Sequence, residues 1–373
     1  MNDPLRGKYL VFPICFLAFY LTSISSAFGY PHPGGMHSRE QIEFVKHQIK
    51  LRKDPWLSAF RQLKEKADLA LRSEQHAVSD FHIPGFYVDM VNNRKNSRSL
   101  NTDGFNAYSC ALAWSLTGEE PYAEKAIYFL NAWASINNRY SEADGPLVMA
   151  YSGVSLVITG ELMRSYGGWK KKDQAKFRMW VCSVYQKACH SIRLRKNNWG
   201  DWGRYGAMVA DYYLDDSVDM DVNIKQLKEA LPEKIATNGY LVEEVKRGEN
   251  GIWYTYFSLA PVTGAFWIAY NATQENLFLS AEGAVVKKAI DYLLYYNQHA
   301  DEWPWYQGPR QGKPDSSNTF WPANLIEAMS EVYNDEQYKQ YVRPFRPLVY
   351  ATHHFVWTYP TLMTVRTGAY KRE

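Results

Sequence analysis

Two short stretches of this chain concentrate groups that bind charge and move protons. One is Asn197-Asn198-Trp199-Gly200-Asp201-Trp202, and the other is Glu243-Glu244-Val245-Lys246-Arg247-Gly248, followed closely by Trp253-Tyr254-Thr255-Tyr256-Phe257. A side-chain amide and a guanidinium fork are donors suited to an anion, above all a carboxylate. A phenol can pass a proton, but its free pKa of about 10 calls for a nearby cation before the phenolate is accessible. Asp201 with Glu243 or Glu244 offers a different chemistry, since two carboxylates flanking one glycosidic bond can hydrolyse it. Taken singly the same residues have plainer roles: Asn198 as a helix cap, Arg247 as a surface partner of Glu243 or Glu244, and Tyr254 as core.

Such groups need a scaffold, and from Ser38 onward the chain reads as helix with little strand. Ser38 with Gln41 makes a capping box, and Asp54-Pro55 is an N-cap followed by proline at the first helical position. Trp56, Phe60, Leu63 and Ala67 then fall on one face at helical spacing. Further helices are expected over 103–116, closed by Gly118, and over 120–136, where Ile127, Leu130, Trp133 and Ile136 form the stripe. Others are expected over 147–165, 172–190, 202–214, 224–237, 257–272, 274–299, 318–333 and 336–359. Short Gly, Pro, Asn or Asp turns between them make antiparallel neighbours the natural arrangement. The fold class is therefore all-α, and successive helical hairpins of this kind close into an (α/α) toroid; no fixed-period repeat suggests an open solenoid. Residues 81–102, 193–201, 239–254 and 301–317 lack clear periodicity and hold most of the candidate chemistry, as irregular loops on rigid scaffolds commonly do.

The amino end reads as an export signal. Arg6 and Lys8 supply a positive start, residues 10–24 are almost wholly apolar, and Ala27-Phe28-Gly29 offers a small-x-small cleavage site. Residues 1–29 are expected to be removed, leaving 30–373 as a single domain that is secreted or periplasmic, free of the membrane and monomeric. No later stretch is expected to approach the roughly 20 uncharged residues that spanning needs. Cys15 would leave with the signal, and Cys110, Cys182 and Cys189 fit neither a disulfide framework nor a zinc site. A net charge of +3 with no basic arm excludes nucleic acid as the expected partner. Asp211, Asp215, Asp216, Asp219 and Asp221 lack the spacing of a calcium loop, and helix ends explain them. Neither a metal nor a cofactor is expected.

With the start of the mature chain, His32-Pro33-Gly34, and the phrase Leu116-Thr117-Gly118-Glu119, the two opening stretches resemble the alginate lyase superfamily of (α/α) toroid polysaccharide lyases. The resemblance covers nearly the whole mature chain. In such lyases an Asn-Asn-His loop precedes the catalytic Tyr, with an Arg seven residues before that Tyr; Asn198, Arg247 and Tyr254 fall in that pattern. One position departs from it, since the His after the second Asn is Trp199 here.

The resemblance implies β-elimination on an anionic polysaccharide. A uronate is cleaved without water when its C5 proton is removed and the O4-linked sugar leaves, but that proton is too weakly acidic while the adjacent carboxylate keeps its charge. Asn198 and Arg247 would neutralise the carboxylate, most strongly as charge spreads in the transition state. Tyr254 would be base, acid or both. One phenol can do both when the C5 hydrogen and the C4 oxygen are syn, as in mannuronate and glucuronate; guluronate and galacturonate place them anti. Loss of the His at Trp199 therefore tilts the expected substrate toward mannuronate-type alginate or glucuronan.

Aromatic residues make up 16% of the chain, with 13 Trp and 28 Tyr, and such rings often pack against sugar faces. Trp199, Trp202, Tyr256, Trp303 and Trp305 are the expected substrate-binding rings, with Arg310 and Lys313 meeting carboxylates on neighbouring units. Arg94, Lys95 and Arg98 are further expected to form a basic lid. Two rival readings stand beside the lyase: a toroidal glycoside hydrolase using Asp201 with Glu243 or Glu244, and a non-catalytic glycan-binding protein.

Overall fold

Helices of two kinds build this protein: some are apolar along one stripe, and others are apolar all round. The computed structural model describes residues 29–306, 321–352 and 354–370; the segment expected to be an export signal, apart from Gly29, lies outside the described residues, as do Arg310 and Lys313. In chain order the α-helices are α1 (Arg39–Lys50), α2 (Trp56–Ala70), α3 (Met90–Thr117), α4 (Glu120–Ile136), α5 (Gly145–Met163), α6 (Lys171–Trp180), α7 (Lys187–Ile192) and α8 (Asn198–Leu214). They continue with α9 (Ser217–Lys234), α10 (Gly251–Thr273), α11 (Ala281–Gln298), α12 (Ala323–Val332) and α13 (Glu336–Val342). Two three-residue strands, β1 (Asp80–His82) and β2 (Arg139–Ser141), pair in parallel with Phe81 opposite Tyr140.

Helices α3, α5, α8 and α10 pack side by side in that order and form the inner wall. Around them, α2 and α4 lie on α3, α9 lies on α8 and α11 lies on α10. This is an (α/α) toroid. The outer helices keep a stripe, as in α2, which buries Ala59, Leu63, Ala67 and Ala70. Of the inner ones, α5, α8 and α10 bury most of their residues, so that every residue of α8 from Gly200 to Leu214 is covered, while α3 buries mainly its later turns. Aromatic and aliphatic packing of this extent is the main favourable term in folding, at roughly 1.5–3 kcal/mol per fully buried large side chain.

The inner wall also explains where the element boundaries depart from expectation. Helix α3 begins at Met90, where Asp89 accepts from the Asn92 backbone N–H at 3.0 Å. Its early turns are polar, so periodicity understated them, and Arg94, Lys95 and Arg98 sit on this helix rather than in a lid loop. Helices α8 and α10 likewise start earlier than expected, because their mostly buried first turns carry no clear stripe to count. Helix α5 is apolar and long enough to cross a membrane, and α10 contains no charged residue, contrary to the expectation that no such stretch follows the signal; both lie inside the protein. The described residues between 346 and 359 are not helical. Pro344 and Pro347 interrupt that run.

The two ends of the chain lace the toroid together. Near the carboxyl end, Tyr359 and Ser109 share a 2.6 Å hydrogen bond, and the Trp357 indole donates to Thr263 at 3.0 Å. At the amino end, Tyr30 stacks on Tyr212 and His32 is bonded to Glu161 at 2.7 Å and to Asp215 at 2.9 Å. Burial alone would lower the His32 pKa, but its two carboxylate partners raise it above the ordinary value. Gly34 is required there, since a Cβ would lie 2.1 Å from the Tyr212 hydroxyl.

Candidate active site

Asn198 opens helix α8, and the chain turns sharply into it. Gly200 permits that turn, because a Cβ at this position would lie 1.8 Å from the Arg195 carbonyl. The backbone N–H of Asn198 donates to Glu244 at 2.6 Å, and its Nδ2 donates to the other Glu244 carboxylate oxygen at 2.8 Å. Asn198 is 1% exposed, and its Oδ1 has no hydrogen-bond partner among the described residues. The Glu244 carbonyl in turn accepts the Arg247 N–H at 3.0 Å, at the start of a 3₁₀ turn. Gly248, with φ +55°, lets that turn run into α10. On the first turn of α10 stands Tyr254, with the Arg247 guanidinium 4.7 Å from its ring centre. The Tyr254 hydroxyl meets that of Tyr87, from the turn before α3, at 2.7 Å. The three expected catalytic residues are thus brought together, joined by Glu244.

The charges are arranged in two levels. Below lies Asp201, fully buried, bound by Arg204 at 2.7 Å, Lys234 at 2.8 Å and the Ser258 hydroxyl at 2.5 Å. Above it, burial raises the Glu244 pKa against the opposing pull of Lys234 and Asn198. Burial also raises the Tyr254 pKa, reinforced by Tyr87, while Arg247 pulls the other way without prevailing. In the resting protein Tyr254 is therefore a neutral phenol, and Arg247 alone does not make the phenolate accessible as expected. Of the carboxylates expected for hydrolysis, Asp201 and Glu244 are buried and bonded, and Glu243 pairs with Lys246.

The expected aromatic subsites divide. Trp199 is half-buried with the Arg195 guanidinium 4.0 Å from its ring centre, so a ring and a cation occupy the place where a His was looked for. Trp305 is 40% exposed and donates to Tyr292 at 2.9 Å. Trp202, Tyr256 and Trp303 do not offer a surface for sugar. Trp202 is wedged among Tyr151, Phe257 and His354, and Tyr256 stacks on Trp321 while donating to Asn324. Trp303 donates to the Gly248 carbonyl and so braces the turn under Arg247. Sequence reasoning missed Tyr87 and the bracing role of Glu244. Among the described residues, His190, Asp211 and Asp219 have oxygen and nitrogen atoms close enough for one metal ion. Arg193 already supplies a cation there, 2.7 Å from Asp219, and Asp211 is pushed up to about 9 by burial.

Toroid and site together define the class: polysaccharide lyases of the (α/α) type. The family model described as Alginate lyase matches residues 48–303, more than half of the chain, and the chain belongs to that family. Among solved structures, an alginate lyase from Bacteroides ovatus is similar with a TM-score of 0.69 at 18% identity, over 88% of this chain and 99% of that one. Alginate lyase A1-III from Sphingomonas species A1 is similar with a TM-score of 0.63 at 14% identity, over 82% of this chain and 89% of that one. No curated protein is detectably similar in sequence.

Proposed function

We propose that this protein cleaves a uronate-containing polysaccharide by β-elimination, with mannuronate-type alginate or glucuronan as substrate. The observation that carries the reading is the contact of Arg247 with Tyr254, tied through Glu244 to the amide of Asn198. Asn198 and Arg247 hold the substrate carboxylate, and their hydrogen bonds strengthen as removal of the C5 proton spreads charge into an enolate-like state. Tyr254 takes that proton and returns it to the O4 oxygen as the C4–O4 bond breaks. Because its phenol is neutral at rest, it must first give up its own proton, and the Tyr87 hydroxyl at 2.7 Å is placed to pass it outward. A single phenol serves syn geometry, and Trp199 offers no base on the opposite face of the sugar. The export-like segment supports action outside the cytoplasm.

An absorbance screen against polymannuronate, polyguluronate, glucuronan and pectate tests this. Unsaturated product is expected from polymannuronate or glucuronan. Saturated product only, or no turnover on any of the four, would sink the reading.

A further inference from the structure

A carboxamide is nearly symmetrical, and turning it over exchanges a donor for an acceptor. Only the NH₂ end of Asn198 helps an enzyme that must quiet a carboxylate, one of its two hydrogens going to Glu244 and the other being left for the substrate; the oxygen end repels a carboxylate. Something must decide which end is presented. We infer that Glu244 is the positioning residue that decides it, an inference that rests on the lyase reading above.

Three observations support this. One Glu244 oxygen takes the Asn198 backbone N–H at 2.6 Å while the other takes Nδ2 at 2.8 Å, so peptide and side chain are fixed by a single group. Turning the amide over would set its oxygen against a carboxylate oxygen at that distance, in a place where Glu244 is 0% exposed and no solvent softens the repulsion. The Asn198 oxygen is left without a partner among the described residues, so the orientation is imposed by the demand of Glu244 for a donor and not by the amide's own satisfaction. The Glu244 carbonyl also accepts the Arg247 backbone N–H at 3.0 Å, so the backbone that carries the Arg247 side chain is tied to the same residue. Its negative charge is balanced from below by Lys234, shared with Asp201.

The test is a double-mutant cycle with wild type, Asn198→Ala, Glu244→Gln and the double variant, each measured for kcat, KM and melting temperature. Gln offers an NH₂ group where the carboxylate stood, and the Asn198 amide turns over to meet it. Glu244→Gln is expected to lower kcat by about 10²-fold, the scale of losing one transition-state donor, while KM changes little. In the double variant kcat is expected to match that of Asn198→Ala, because the residue through which Glu244 acts is gone. Glu244→Gln with wild-type kcat beside an impaired Asn198→Ala would overturn the inference. So would losses that multiply, which mark a merely structural role. If Glu244→Gln does not fold, Glu244→Asp, whose carboxylate stops one methylene short of Asn198 and releases its amide, replaces it in the cycle with the same non-additivity expected. Full activity of Asn198→Ala would instead remove Asn198 from the lyase reading itself, so the two failures are distinguishable.

Discussion

Replacing Tyr254 by Phe removes one oxygen and separates chemistry from packing. In the structure that oxygen meets the Tyr87 hydroxyl, and Tyr87 is 67% exposed, so its hydroxyl can turn to water when the partner is lost. The ring keeps its neighbours: Trp253 edge-on at 5.0 Å, Phe257 at 6.4 Å and the Arg247 guanidinium at 4.7 Å. The folding cost is therefore the net worth of one ordinary hydrogen bond, about 1 kcal/mol. For a domain of this size that is a drop of a few degrees at most, on the order of 2–4 °C. Loss of the proton-transfer group should lower kcat by roughly 10²–10⁴-fold, equivalent to about 3–5.5 kcal/mol of barrier. The chemical effect exceeds the structural one severalfold, so the two can be read apart. Initial rates from the ultraviolet absorbance of the unsaturated end, beside a thermal melt and calorimetric substrate binding, measure all three quantities. A variant that binds, melts like wild type and still cuts within tenfold of wild type would refute the assignment.

Three other outcomes follow from the same geometry. Asp201→Ala strands the Arg204 and Lys234 cations in the core, so it should cost about 3–5 kcal/mol and lower the melting temperature by on the order of 10 °C; a shift under 2 °C would contradict the buried pairing. Trp199→His should widen the range of uronates cut toward anti-configured units, and an unchanged product profile on polyguluronate would argue against the stereochemical reasoning. Tyr108, Tyr185, Tyr205 and Tyr256 all have pKa values raised by burial. The unfolded chain would release these protons at about pH 10, so stability is full below that pH and lost as pH rises through it toward the folded values. Tyrosinate absorbance and loss of helical circular dichroism should rise together in an alkaline titration; tyrosinate forming well before unfolding would contradict it.

Legibility in the sequence followed exposure. Helix α4 spans Glu120–Ile136 as expected, because one of its faces meets solvent and the other does not; of the expected stripe Leu130 and Trp133 are buried, while Ile136 is 37% exposed. Helices α8 and α10 hid their first turns because most of those residues are buried and no clear stripe marks them, and Asn198 and Tyr254 therefore looked like loop residues. Aromatic richness pointed to rings without saying which way they face. Trp202, Tyr256 and Trp303 turned inward to fill the space between helices, while Trp199 and Trp305 kept surface. Tyr87 was not legible at all, since its partner is 167 residues away and only the closed toroid brings them together. The pairing of Asn198 with Glu244 spans 46 residues and was hidden for the same reason.

The half-buried indoles of Trp199 and Trp253 flank the candidate site, one adjoining Asn198 and the other edge-on to Tyr254, while most other tryptophans are sealed in the interior. Their emission should sense the polarity around the candidate site, against the background of the sealed ones and of the more exposed Trp305. The protein thus carries its own optical reporter, and saccharide occupancy can be followed by intrinsic fluorescence without attaching a dye.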